Sequence, residues 1–109
     1  MPKDLILAHH IARHNDWSMT TFGPGNRTEG LTKHIAKELD EIREVNGTDL
    51  YEWIDVIILA IDGALRSGFS PQQISDALDD KQTINENRKW PDWRTVKEGQ
   101  PIEHVKDNS

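Results

Sequence analysis

The sequence places two pairs of carboxylates at i,i+3 spacing, Glu38 with Glu41 and Glu52 with Asp55. On a helix that spacing puts both members of a pair on one face. Acids that converge repel one another unless a cation lies among them. Oxygen-only ligands suit a hard divalent cation, and magnesium, which keeps several waters and shares positions with phosphate oxygens, fits best, with manganese the alternative. One such pair is ordinary on an acidic surface; two on consecutive helices are far less so. The opposite charge comes later in the chain, where Lys81, Asn85 and Arg88 prolong the helical stripe of Ile74, Ala77 and Leu78. A lysine and an arginine there are suited to phosphate oxygens, one as a point charge and the other as a fork.

Helical periodicity supplies the elements that must carry these groups. Four helices are read, over residues 3–15, 29–45, a segment from the cap at Thr48 or Asp49 to 67, and 71–89. Leu5, Ile6, Ala8, Ile11 and Ala12 give the first its apolar positions. The Gly/Pro-dense stretch 18–28 reads as an ordered loop long enough to serve a site. Asn46-Gly47 ends the second helix, Gly68 the third, and Ser70-Pro71 with Gln73 starts the fourth. In the second helix Leu31, Ile35, Leu39, Ile42 and Val45 form an apolar arc with Glu38 near its centre and His34 and Glu41 along its edge. A carboxylate in that position needs a cation or a set of donors. The third helix is apolar nearly all round, so burial on most sides is expected, yet Glu52, Asp55 and Asp62 share one flank beside Leu59. A short connector packs consecutive helices antiparallel, which lets the two acidic pairs face each other.

Other side chains have smaller parts. His34 can orient a carboxylate or water, and Arg27, after the Gly-Pro-Gly turn, is a candidate anion contact. His10 and His14 share a face without an acidic third ligand, so packing or polar contacts are expected of them. Trp17, Phe22, Trp90 and Trp93 offer either a wall for a base or a core plug.

Composition excludes several classes. A chain of 109 residues with 35% hydrophobic residues and a net charge of -6 is one small domain, ill suited to nucleic acid or anionic membrane. The absence of cysteine removes disulfides, thiol nucleophiles and cysteine-held metals. The N-terminal stretch carries no signal-peptide pattern and no run is long enough to span a bilayer, so a cytoplasmic location is expected. Two rivals to a magnesium enzyme remain. A non-enzymatic helical interaction protein would use the apolar third helix to bind a partner. A carboxylate-bridged iron or manganese protein would carry Glu-x-x-His motifs, which the chain lacks.

These residues resemble those of the MazG-like all-α nucleoside triphosphate pyrophosphohydrolases, whose ExxE and ExxD motifs are matched by Glu38/Glu41 and Glu52/Asp55. Within that superfamily the chain is most similar to the small dATP/dGTP diphosphohydrolases of bacteria and phages. The likeness runs from Trp17 to Val105, through Phe22-Gly23-Pro24-Gly25-Asn26-Arg27-Thr28 and Lys81 to the Trp90-Pro91-Asp92-Trp93-Arg94 ending. The resemblance implies a helical bundle of about four helices per protomer, completed by dimerisation or higher homo-oligomerisation. It implies hydrolysis of a purine deoxynucleoside triphosphate to monophosphate and pyrophosphate. Glu38, Glu41, Glu52 and Asp55 would hold magnesium, and Lys81 and Asn85 would contact phosphates. Glu38 or Glu41 is also a candidate general base. Arg27, His34, Asp62, Arg88 and Trp90 complete the expected substrate contacts.

Overall fold

Four helices carry the chain: α1 (Lys3–Phe22), α2 (Thr28–Glu44), α3 (Leu50–Arg66) and α4 (Pro71–Glu86), followed by a 3-10 turn at Trp93–Thr95. The computed structural model describes residues 3–106, and no strand occurs among them. The side chains of Leu5 and Ile6 lie outside the described residues. The expected helix starts are realised by their caps. Asp49, rather than Thr48, accepts the Tyr51 N–H at 3.0 Å to open α3. Ser70 and Gln73 close a reciprocal capping box, Gln73 N–H to Ser70 Oγ at 3.1 Å and Ser70 N–H to Gln73 Oε1 at 2.8 Å.

The first helix departs from expectation. It continues through the stretch read as loop and stops only at Phe22, leaving residues 23–27 as the connection. Local propensity is poor there, with Thr20 and Thr21 both β-branched. Tertiary contacts override it: Ser18 is 1% exposed and bonded to α3, and Trp17 packs edge-to-face on Phe22 at 5.3 Å. The break comes where Gly23 takes a φ of +84°, a conformation side chains with a Cβ rarely adopt. The fourth helix is shorter than its periodicity suggests, ending at Glu86 instead of 89. Just beyond, the Trp90 indole donates to the Asn85 carbonyl at 2.7 Å, so the Trp-Pro segment folds back on the helix end.

Residues 45–49 turn the chain from α2 into α3. Gly47 has φ +69°, and a Cβ on it would come within 3.1 Å of the Trp53 ring, whose Nε1–H donates to the Gly47 carbonyl at 3.0 Å. α2 and α3 then pack side by side, and α1 lies against α3. Leu31 meets Gly63 near one end while Glu38 meets Glu52 nearer the other, which makes the α2–α3 pair antiparallel. Among the described residues the buried apolar side chains are Ile11, Ile42 and Leu65, against Ser18, Glu38, Asp62, Arg66 and Ser75 among the polar ones. The interior of this chain is thus as much polar as apolar. Expected burial of α3 on most sides is not met in the single chain, where Leu50, Trp53 and Ile57 stay 67%, 47% and 51% exposed. Two helices cannot surround a third.

The chain divides within α4 into two compact units, residues up to Asp76 and residues from Ala77 onward. In the second, Trp90 meets His104 edge-on at 5.9 Å and the Val105 N–H donates to the Lys89 carbonyl at 2.8 Å, bringing the tail back along its own unit.

Candidate active site

Helices α2 and α3 bring Glu38, Glu41 and Glu52 together, with one carboxylate oxygen of each lying within 4.8 Å of the others. Glu38 is 7% exposed, as its place in the apolar arc of α2 requires. Its Oε1 lies 3.2 Å from Nε2 of His34, one turn earlier on the same helix. Oε2 of Glu38 and Oε2 of Glu52 are both buried without a hydrogen-bond partner. Buried oxygens of this kind are costly unless something meets them.

The electrostatics of the cluster are asymmetric. Glu52 is pushed up to about 7 by its hydrogen bond to Glu38, by burial and by the charge of Glu41. Burial pulls Glu38 the same way, but its hydrogen bonds with Glu52 and Glu41 and the neighbouring His34 outweigh that and hold it below the usual carboxylate value. Three crowded acids cannot all ionise freely, so Glu52 keeps the proton and Glu38 gives it up. A divalent cation can take that proton's place. Three carboxylates with two unmet oxygens suit it in number, charge and hardness.

Asp55, one turn beyond Glu52, is outside this trio and lines, with Glu38, a cavity of about 450 Å3 walled by α1, α2 and α3. Arg27, His34, Trp17 and Phe22 line the same cavity. Trp17 and Phe22 are more than half exposed, so they form a wall and not a core plug.

Asp62 also reaches the cavity, but both its oxygens are committed. Oδ1 accepts from Ser18 Oγ at 2.5 Å and faces His14 Nε2 at 3.0 Å, and Oδ2 accepts from Arg66 Nε at 2.7 Å. Those three partners hold its carboxyl below the ordinary range against the opposing push of burial. Arg66 spends its remaining donors on the Gly23 carbonyl at 2.7 Å and the Gly25 carbonyl at 3.1 Å in the α1–α2 connection, and on Ser18 Oγ of α1 at 2.8 Å. Sequence reading missed Arg66. Its signal was present as Asp62-x-x-x-Arg66, an i,i+4 ion pair in a helix otherwise apolar nearly all round.

Lys81, Asn85, Arg88 and Trp90 belong to the second unit. There Asn85 Oδ1 accepts from Arg88 Nη1 at 3.2 Å, and Asn85 is further tied to Trp90 through its carbonyl. Trp93 carries the Arg94 guanidinium over its ring at 5.5 Å.

No helix among the described residues is long and apolar enough to cross a membrane. A curated relative, the Eaa protein of Salmonella phage P22, is 36% identical over 94 residues, which cover 86% of this chain. The matched stretch spans 28% of that protein's length. No solved structure matches. The family model for dATP/dGTP pyrophosphohydrolase matches residues 10–109, a span that contains all three clustered glutamates and the residues that line the cavity. The all-α fold is that of a MazG-like helical bundle, and the chain belongs to the dATP/dGTP pyrophosphohydrolase family.

Proposed function

We propose that this chain hydrolyses deoxynucleoside triphosphates, dATP and dGTP foremost, to the monophosphate and pyrophosphate, using magnesium or manganese held by Glu38, Glu41 and Glu52. The observation that carries the reading is the trio of carboxylates with two buried, unmet oxygens, in a chain of this family. Asp55 is the fourth acid of the set, reaching the cation directly or through water. A bound cation would offset phosphate charge and make a water acidic enough to attack the α-phosphorus.

The chain's own groups do the rest. Glu38 and Glu41 keep the site anionic enough to attract a cation. His34, next to Glu38 Oε1, fixes that carboxylate's orientation, and Glu38 or Glu41 acts as the base that takes the proton of an attacking water. Arg27 lines the cavity and serves as an anion contact. Lys81, Asn85 and Arg88 serve the phosphates and Trp90 the substrate, the first with a point charge and Arg88 with a fork. Asp62 acts on the substrate through its neighbours, its own oxygens being taken.

Incubation with each nucleoside triphosphate and magnesium is expected to give monophosphate and pyrophosphate, and no diphosphate. Diphosphate with free phosphate as products, or no product at all, would overturn the reading. The second outcome leaves the non-enzymatic alternative, in which the exposed Leu50, Trp53 and Ile57 face of α3 binds a partner. We propose instead that this face closes onto a second copy of the chain to form a homodimer or larger homo-oligomer in the cytoplasm. Sedimentation showing a monomer at micromolar concentration would remove that proposal.

The cluster also sets a pH dependence. Glu52 is protonated below about 7, and the cation requires it ionised. Magnesium affinity should therefore fall as pH drops below that value, with about one proton released per ion bound in mildly acidic buffer. Calorimetry in buffers of different ionisation enthalpy reads this directly. A flat affinity between pH about 5 and 8 would mean that Glu52 is not a ligand.

A further inference from the structure

The 450 Å3 cavity is of a size that takes a small organic group, and its walls differ in character. Trp17 and Phe22 form an exposed aromatic pair on one side, and Glu38 of the acidic cluster opens onto the same space. His14 sits between, its ring 5.9 Å from Trp17. The hydrogen-bond chemistry of His14 is fixed from behind. Asp62 is an ionised carboxylate, which can only accept, so the His14 nitrogen 3.0 Å from it carries the hydrogen. In the neutral imidazole the other nitrogen, Nδ1, is then an acceptor, and it has no hydrogen-bond partner among the described residues. Ser18 and Arg66 hold Asp62 in place, and Arg66 ties it to the Gly23 and Gly25 carbonyls of the α1–α2 connection.

We propose that His14 is a specificity-determining residue for the base of the nucleotide. Its Nδ1 accepts a hydrogen bond from an exocyclic amino group of a base that packs face-on to one and edge-on to the other of Trp17 and Phe22, with Asp62 and Arg66 as the residues that position it. This rests on the pyrophosphohydrolase reading for the identity of the ligand. Adenine and cytosine carry the amino group on the edge where thymine carries a carbonyl, and guanine carries it at C2 and must turn in the pocket to offer it. Thymine has no amino group and offers the acceptor only an N3–H flanked by two carbonyls. A buried polar group left unpaired is the stronger source of discrimination.

Two measurements on the full chain test it. Binding of deoxyadenosine and thymidine to the metal-free protein, followed by ligand-observed NMR, should favour deoxyadenosine by about tenfold. Trp17→Leu, at a position 55% exposed, should weaken deoxyadenosine binding by about as much with helical circular dichroism retained. The ratio of kcat/KM for dATP over dTTP should collapse in His14→Ala, chiefly through KM for dATP. In His14→Gln the ratio should survive, because a glutamine amide can donate to Asp62 while its carbonyl oxygen accepts from the base. A ratio unchanged in His14→Ala with intact helical circular dichroism overturns the proposal. So does a wild-type chain that binds the two nucleosides equally. Should His14→Ala fail to fold, the comparison of the two nucleosides on the wild-type chain and on Trp17→Leu decides it. A wild-type chain that selects deoxyadenosine but hydrolyses no triphosphate keeps the base site and removes the pyrophosphohydrolase reading instead.

Discussion

Glu38→Gln is expected to lower nucleotide turnover by about a hundredfold or more, because the charge stabilisation supplied through a metal site is worth several kcal/mol and each ~1.4 kcal/mol is tenfold in rate. The substitution keeps the size and shape of the side chain and removes only its charge. In the metal-free protein it takes one negative charge from a crowded trio, so the thermal midpoint should stay level or rise. That pairing of outcomes separates a functional role from a structural one. A buried acid kept only for folding would show the reverse, with activity following stability downward. Wild-type turnover in Glu38→Gln would place the cation elsewhere. The same variant should also depress Glu52, whose high value arises first from its hydrogen bond to Glu38. Carbon-13 NMR of the glutamate carboxyls can follow that change.

Arg66→Met is expected to destabilise the fold by about 3–5 kcal/mol, the range for removing one partner of a buried ion pair. The Arg66 and Asp62 side chains are 1% and 7% exposed, so the substitution leaves a carboxylate short of its main cation in a closed interior. It also frees the Gly23 and Gly25 carbonyls that Arg66 holds. Urea midpoints measure the loss, and a change under about 1 kcal/mol would mean that Ser18 and His14 suffice for Asp62. The pH dependence provides a second check. Asp62 has a folded value below its ordinary 3.8, so its contribution is present above that value and is lost as pH falls through the lower folded one. The gap between wild type and Arg66→Met should therefore be constant near neutrality and narrow in strong acid. Glu52 has the opposite sign: with its value raised from 4.5 to about 7, its contribution is full below 4.5 and is lost as pH rises through about 7. A double variant with Asp62→Asn should recover part of the loss, since the uncompensated charge is gone.

Exposure along α3 makes the single chain a poor container. Leu50, Trp53 and Ile57 on α3 stay 67%, 47% and 51% exposed, while among the described residues Ile11, Ile42 and Leu65 make up the buried apolar core. The polar side chains inside do work that apolar ones cannot: Arg66 and Asp62 lock the α1–α2 connection against α3, where five residues of irregular chain would otherwise be loosely held.

Much of this protein was legible from residue order alone. The caps at Asp49 and Ser70, the left-handed turn at Gly47 and the placement of Glu38 in an apolar arc all follow from contacts within a few residues, where helix geometry is fixed and repetitive. The convergence of Glu38 and Glu41 with Glu52 was also readable, because a short connector leaves adjacent helices few ways to pack. Tertiary structure alone decided that α1 runs on to Phe22, that Asp62 answers to His14 and Ser18, and that Asp55 faces the cavity while Glu52 joins the trio. The contacts of Asp62 with His14 and Ser18 join residues more than forty positions apart. A periodic pattern states which face a side chain is on; which partner it meets there depends on the distance and rotation between helices, and no single helix encodes either.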